Sequence, residues 1–293
     1  MKFIRRRAKL RFMEFQTLID VESLQKLMGD PRLAIVDCRF DLTHPDAGRH
    51  EFLAAHLPGA RYADLNLDLS APIGPETGRH PLPAPEKFAA WLGTIGIGNG
   101  SQVIAYDEAN GSMAARLWWL LRWAGHRAVA ILDGGFKAWT AQGGALESVE
   151  TTPRQERFTP RIDDQAVLST AETEREVRRP AVLLVDARAR ERYAGLVEPI
   201  DTVAGHVPGA ANHPFTESLD ARGRFLPAAE LKRRWHERLA GRDAKNLVAM
   251  CGSGVTACHN LLSLEVAGLA GGRLYAGSWS EWIRDPRRPI ARG

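Results

Sequence analysis

Cysteine is scarce in this chain, with three thiols, Cys38, Cys251 and Cys258, in 293 residues. A small odd number in so long a chain argues against a disulfide framework and for a reducing, cytoplasmic setting. Long apolar runs are missing too. A membrane-spanning helix needs roughly 20 consecutive apolar residues, whereas the richest stretch, Leu117 to Leu121, is flanked by Arg116 and Arg122. A soluble protein with no membrane partner is expected. Cys-x-x-Cys pairs, His-Glu-x-x-His and Cys/His clusters are absent, so neither a metal site nor a cofactor is indicated. Acidic residues are absent from residues 1–13, which carry Lys2, Arg5, Arg6, Arg7, Lys9 and Arg11. Without those six charges the net charge of +4 becomes −2. The basic character therefore belongs to a tail, and the body offers no surface for nucleic acid. The tail lacks the apolar core of a secretory signal, about 7–15 residues. It reads as an arm, or as an extension from an upstream start with Met13 as the natural beginning; a targeting segment is the alternative.

The richest local signal is Cys251. It follows the apolar run Leu247-Val248-Ala249-Met250 and precedes Gly252-Ser253-Gly254-Val255-Thr256-Ala257, the pattern of a strand, a tight loop and a helix start. Glycines there let successive amides turn inward into a nest that favours negative charge. Such surroundings lower a thiol's pKa from about 8.5 toward roughly 3.5–7.5 and make it a nucleophile. The competing reading is a buried packing thiol, which the glycine loop at a strand end disfavours. Packing is also the reading for Cys38, and for Cys258 two helical turns beyond Cys251, where a resolving thiol is the alternative. Trp118, Trp119 and Trp123 read as packing residues, Arg188 as half of a structural ion pair, and His259 as a cap or solvent-facing group.

The chain repeats itself. Val36-Asp37-Cys38-Arg39 returns as Val185-Asp186-Ala187-Arg188, and His56-Leu57-Pro58-Gly59-Ala60 as His206-Val207-Pro208-Gly209-Ala210. Ala105-Tyr106-Asp107 aligns with Ala249-Met250-Cys251, and Gly134 to Trp139 with Gly277-Ser278-Trp279-Ser280-Glu281-Trp282. Ordered matches at so long a period mean a duplicated domain rather than a solenoid. Short apolar runs such as Leu33 to Val36 and Ala181 to Val185 read as buried parallel strands; Pro85 to Leu92 and Ala228 to Leu239 read as amphipathic helices. The expected fold is α/β, two tandem domains each built on a parallel sheet flanked by helices. The expected division is a tail at 1–13, a non-catalytic copy at 14–145, an exposed linker at 146–163 and a catalytic copy at 164–290. The first copy is read as non-catalytic because Asp107 stands where the second has Cys251; it would furnish residues to a shared cleft.

These residues resemble the two-domain rhodanese-type sulfurtransferases, over about residues 14–290. The carriers are the His-x-Pro-Gly-Ala segments of both copies, the closing Gly277 to Trp282, and a cysteine loop similar to that of 3-mercaptopyruvate sulfurtransferases. The resemblance implies a persulfide on Cys251, formed from a small-molecule sulfur donor and discharged to a thiol (a thioredoxin-like protein or a low-molecular-weight thiol) or to cyanide. It implies that Gly252, Gly254, Val255 and Thr256 line the site and that Arg192 holds a donor carboxylate. It further maps Asp64, His80 and Ser253 onto a relay in which a carboxylate-oriented histidine polarises a hydroxyl. One departure is that Glu198-Pro199-Ile200-Asp201 stands where mercaptopyruvate enzymes commonly have a second arginine. Thiosulfate-type enzymes usually carry basic residues just after the cysteine, and Gly252-Ser253-Gly254 supplies none, so mercaptopyruvate is favoured over thiosulfate. Related cysteine phosphatases need an arginine where this chain has Ala257. A thiosulfate-preferring rhodanese and a persulfide relay without turnover are the remaining alternatives.

Overall fold

The computed structural model describes residues 14–293, so the readings of the basic tail and of Met13 lie outside the described residues. The first half runs β1 (Leu18–Ile19), α1 (Val21–Leu27), β2 (Leu33–Asp37), α2 (Ala47–Ala54), β3 (Arg61–Tyr62), α3 (Pro85–Thr94), β4 (Gln102–Tyr106), α4 (Ala114–Trp123), β5 (Val129–Leu132) and α5 (Gly135–Ala141). The second repeats the plan as β6 (Val167–Leu168), α6 (Thr170–Glu176), β7 (Leu183–Asp186), α7 (Arg190–Tyr193), β8 (Ala211–Asn212), α8 (Ala228–Leu239), β9 (Leu247–Met250), α9 (Thr256–Val266), β10 (Arg273–Tyr275) and α10 (Ser278–Trp282).

The two sheets have corresponding strand orders, β1-β5-β4-β2-β3 and β6-β10-β9-β7-β8, with every pairing parallel. Asp37 pairs with Tyr106 in one and Asp186 with Met250 in the other. The next residues, Asp107 and Cys251, therefore leave equivalent central strands at their carboxyl ends, where open α/β sheets carry their sites. The central strands are buried along their length, as continuous apolar runs in two-sided parallel sheets require. The duplication extends to a buried ion pair at one strand end of each sheet. Arg39 meets Asp37 at 2.6 Å and the carbonyl of Ala55, while Arg188 meets Asp186 at 2.7 Å and the carbonyl of Gly205. The pairing expected of Arg188 is thus present.

The halves share one apolar core. Trp118, Leu121 and Trp123 of α4 belong to the same buried cluster as Leu261 and Leu264 of α9, and Arg122 meets Glu265 at 2.9 Å across the contact. One reading needs correction and another is refined. Residues 146–163 are exposed along most of their length, but Phe158 is buried, Arg49 pairs with Glu150 at 2.6 Å, and Asn99 bonds both backbone groups of Thr159, so the exposed segment is strapped along the first half. His259 neither caps nor faces solvent. It is fully buried, stacked on Phe225 at 4.5 Å, with Nε2 3.0 Å from the carbonyl of Asn110 in the other half; an interface that adjacent sequence does not encode has covered it.

Candidate active site

The cysteine loop is shaped from below by the closing motif. Ser278, a non-glycine residue held at φ 54°, receives the Cys251 amide on its hydroxyl at 3.1 Å and donates to the carbonyl of Tyr275 at 2.9 Å. The amides of Trp279 and Ser280 donate to the carbonyls of Cys251 and Gly252 at 3.0 and 2.9 Å. With its carbonyls tied on that side, the loop can turn amides toward the sulfur. Gly254 donates its N–H to Cys251 Sγ at 3.1 Å. Gly254 has φ +77°, and a Cβ there would lie 2.4 Å from the carbonyl oxygen of Ala276, so the position admits no side chain. Val255 caps α9 and Thr256 opens it, putting the positive end of the helix beside the loop.

The first half shows what such a loop holds when sulfur is absent. The Asp107 carboxylate, almost fully buried, accepts the amides of Ala109, Gly111, Met113 and Ala114 at 3.2, 2.9, 2.8 and 3.2 Å. Burial pushes this carboxyl's pKa up, and the four amides oppose the shift. A negative group at this strand end is what the fold's amide nest accommodates.

The first half also reaches the cysteine. His80 is buried, and its Nδ1 lies 2.8 Å from Ser253 Oγ. Burial, with the charges of Arg116 and Arg79 adding to it, lowers the His80 pKa to about 3, so the ring is neutral at ordinary pH. Asp64 is not brought to it. Its Oδ1 accepts the amides of Asn66 and Leu67 at 2.7 and 3.0 Å, an Asx-type turn, and no hydrogen bond joins Asp64 to His80 among the described residues. The expected three-member relay is therefore a His80–Ser253 pair in this structure. Arg116, fully buried on α4, donates to the carbonyls of Leu69, His80, Pro81 and Gly254. It fixes the loop and the His80 segment against each other, and it has no carboxylate partner among the described residues. Its sequence signal was weak, an arginine flanking the Leu117 to Leu121 run that reads as an interruption of hydrophobicity.

Arg192 lies over the loop: both of its terminal nitrogens are 3.6 Å from where a Gly252 Cβ would stand. Glu198, far from leaving the site short of a partner, ties it down, accepting Arg192 Nη2 at 2.7 Å and Arg188 Nη1 at 3.3 Å. Burial alone would raise the Glu198 pKa; bonds from Arg192 and from the amides of Asp201 and Ile200 outweigh it and hold the carboxylate ionised. Asp201 accepts Arg192 Nη2 at 3.1 Å and is also paired with Arg79 of the first half. Arg79 Nη2 comes to 2.9 Å from the position of a Gly252 Cβ. The sequence reading did not single out Arg79. It stands beside His80, and its closeness to Gly252 depends entirely on docking of the two halves.

The other thiols are inert by comparison. Cys258 is fully buried, its Sγ 3.2 Å from the carbonyl of Gly254, and burial pushes its pKa up to about 12; this is packing, not a resolving thiol. Burial raises Cys38 well above the ordinary thiol range.

Comparisons with known proteins agree with this architecture. The rhodanese-like domain model matches residues 20–142 and again 169–285. A Pseudomonas aeruginosa protein with the provisional name 3-mercaptopyruvate sulfurtransferase is 48% identical over 278 residues, spanning 94% of this chain and 98% of its own. SseB of Mycobacterium tuberculosis, provisionally named a thiosulfate sulfurtransferase, is 39% identical over 285 residues, covering 95% of this chain and 98% of its own. Among solved structures, the 3-mercaptopyruvate sulfurtransferase from Leishmania major superposes with a TM-score of 0.82 at 32% identity, over 92% of this chain and 76% of that one. With both halves matched and a cysteine loop in the second, the chain belongs to the two-domain rhodanese-type sulfurtransferases.

Proposed function

We propose that this sulfurtransferase takes sulfur from 3-mercaptopyruvate through a persulfide on Cys251. The Cys251 thiolate attacks the donor sulfur, an S–S bond forms and the donor's C–S bond breaks. Its electron pair leaves on carbon as the enolate of pyruvate, which takes up a proton to become pyruvate. An acceptor thiolate then attacks the outer sulfur, breaks the S–S bond and returns Cys251 as thiolate; cyanide does the same and leaves as thiocyanate. The observation that carries this reading is the Gly254 amide on Cys251 Sγ at 3.1 Å, in a loop whose counterpart holds a carboxylate on four amides. Donors so arranged stabilise developing charge without reorganising, and losing one typically costs about 10²–10³ in rate.

In this reading Arg192 receives the donor carboxylate, while Ser253, hydrogen-bonded to neutral His80, handles the proton at the reacting centre. Gly252, Val255 and Thr256 complete the loop around the sulfur. Two cations are matched there by Asp201 and Glu198, a balance that suits a monoanion better than a dianion such as thiosulfate. The physiological acceptor we favour is a small thiol or a thioredoxin-like protein. Three free, buried cysteines suit a reducing cytoplasm; no helix of the described residues is long and apolar enough to cross a membrane.

Parallel steady-state kinetics with 3-mercaptopyruvate and with thiosulfate, cyanide being the common acceptor, test the assignment. A larger kcat/KM for mercaptopyruvate, with stoichiometric pyruvate, is expected. A larger value for thiosulfate would overturn the donor, and persulfide uptake from a protein partner without turnover of either donor would overturn the cycle.

A further inference from the structure

We infer that Arg79, contributed by the first half, is the second carboxylate-gripping cation of the donor site and is aligned with Arg192 by the buried Asp201. The inference deepens the proposed function and rests on its 2-oxo-acid donor. The segment after Glu198 lacks a second arginine, yet a second guanidinium is at the loop all the same, carried by another domain. Asp201 joins the two, one carboxylate oxygen facing Arg79 Nη1 and the other Arg192 Nη2. Glu198 holds the Nε edge of Arg192 at 3.1 Å. These ties leave Arg79 Nη2 and Arg192 Nη1 without a hydrogen-bond partner among the described residues, and both lie next to Gly252, one residue from the sulfur. Two free N–H groups on separate guanidinium planes, beside a nucleophile, form a fork for a carboxylate.

The backbone that carries Arg79 is fastened to the catalytic half. The Gly78 amide donates to Glu281 at 3.2 Å, the Arg79 amide to Ser280 Oγ at 3.0 Å, and Arg284 Nε to the carbonyl of Thr77 at 3.2 Å. Ser280 and Glu281 lie in α10, whose residues also support the cysteine loop, so the arginine and the sulfur share one foundation. Gly252 has a second reason to be glycine: a Cβ would meet Arg79 Nη2 at 2.9 Å. Asp201 has a side-chain exposure of only 4%, against 23% for Arg79 and 17% for Arg192, which suits a buried strut holding two binding groups that still face the cleft. Asp201 is accordingly a positioning residue, Arg79 a binding residue.

The test uses pyruvate as probe, titrated calorimetrically into the wild-type chain, Arg79→Ala, Arg79→Lys and Asp201→Asn, alongside steady-state kinetics with 3-mercaptopyruvate. Loss of a charge-assisted carboxylate contact predicts a rise of about 10- to 100-fold in pyruvate Kd and mercaptopyruvate KM for Arg79→Ala. It predicts a kcat within about three-fold of wild type, the signature of lost binding rather than lost chemistry. Arg79→Lys should recover part of the loss, and Asp201→Asn should raise KM by a smaller factor with kcat held. Discharge of preformed persulfide by cyanide, an anion without a carboxylate, should fall by a smaller factor than kcat/KM for mercaptopyruvate. Arg79→Ala with Kd and KM near wild type overturns the inference, as does a wild-type chain that binds no pyruvate. Arg79-dependent pyruvate binding in a chain that releases none from mercaptopyruvate would instead sink the donor assignment and leave the arginine fork standing.

Discussion

A thiol that is 2% exposed would ordinarily be inert, and Cys251 differs from Cys258 in what its sulfur touches. Cys258 faces a carbonyl oxygen, which penalises a thiolate, whereas Cys251 faces an amide N–H, which rewards one. Replacing Cys251 by Ser should abolish sulfur transfer, and intact-mass measurement after incubation with donor should show one added sulfur on wild type and none on the variant. His80 supplies a prediction about pH. Because burial holds its pKa near 3, it does not change charge between about pH 5 and 8. A His80→Gln variant should lose the same factor in kcat/KM, about 10-fold or more, at pH 6 and at pH 8. A loss confined to one side of pH 6.5 would show that the imidazole titrates in the working enzyme. Asp64→Asn should remain close to wild-type turnover, since its carboxylate serves the amides of Asn66 and Leu67; a fall matching that of His80→Gln would restore the three-member relay.

At the scale of elements, the loop is a strand end gripped by α4, α9 and α10, and Arg116 of α4 is its deepest hold. Arg116→Met would leave the carbonyls of Leu69, His80, Pro81 and Gly254 without that donor, in a site where each unsatisfied group costs about 1–3 kcal/mol. The expected result is a lower melting temperature together with slower alkylation of Cys251 at fixed pH, because the same cation holds the carbonyl of Gly254, the residue whose amide faces the sulfur. Unchanged alkylation would confine Arg116 to stability. Such holds mark the boundary of what sequence could reveal. The central strands, the helices at Pro85 and Ala228 and the duplication itself are written in local apolar periodicity and in the recurrence of Asp37/Arg39 as Asp186/Arg188. The cysteine loop was legible because its glycines lie beside the thiol. Arg79 and Arg116 were not, because their roles come from contacts remote in sequence, Asp201 for Arg79 and the carbonyls of Leu69, His80, Pro81 and Gly254 for Arg116, and a lone arginine carries no mark of the face it will meet. Asp64 misled for the converse reason, since a local turn competed for its carboxylate.

For the whole molecule, the interface that completes the site buries His80 and His259, the second half buries His213 within itself, and all three must stay neutral, which sets the acid limit of stability. Burial lowers the pKa of His80 and His213 to about 3 and of His259 to about 4. Unfolded, each returns to the ordinary value near 6.5, so between about pH 6.5 and 4 the unfolded chain binds more protons than the folded one. Stability must therefore fall as pH falls, by up to about 1.4 kcal/mol per pH unit for each histidine. Asp68 opposes the trend. Burial raises its pKa to about 6, so between about pH 6 and 4 the folded form binds the extra proton and gains stability on acidification; it offsets about one of the three. The buried Asp107, Asp133 and Asp201, also raised chiefly by burial, act in the same direction as Asp68. With these histidines, joined by His126, whose pKa burial also lowers, against these carboxyls and Glu108, whose pKa burial raises, the melting temperature should drop from pH 7 to pH 5, the slope growing below 6.5 as the unfolded histidines take up protons. His213 is the position for the control. It stacks on Trp235 at 4.3 Å beside Glu217 and amid Arg190, Arg234 and Arg238, away from the cysteine loop. His213→Gln should flatten the histidine-driven slope by one histidine's share while leaving sulfur transfer at pH 8 intact. A wild-type melting temperature that is level from pH 7 to 5 would mean that these rings are reached by protons in the folded state, and that the two halves are held less tightly than their shared core implies.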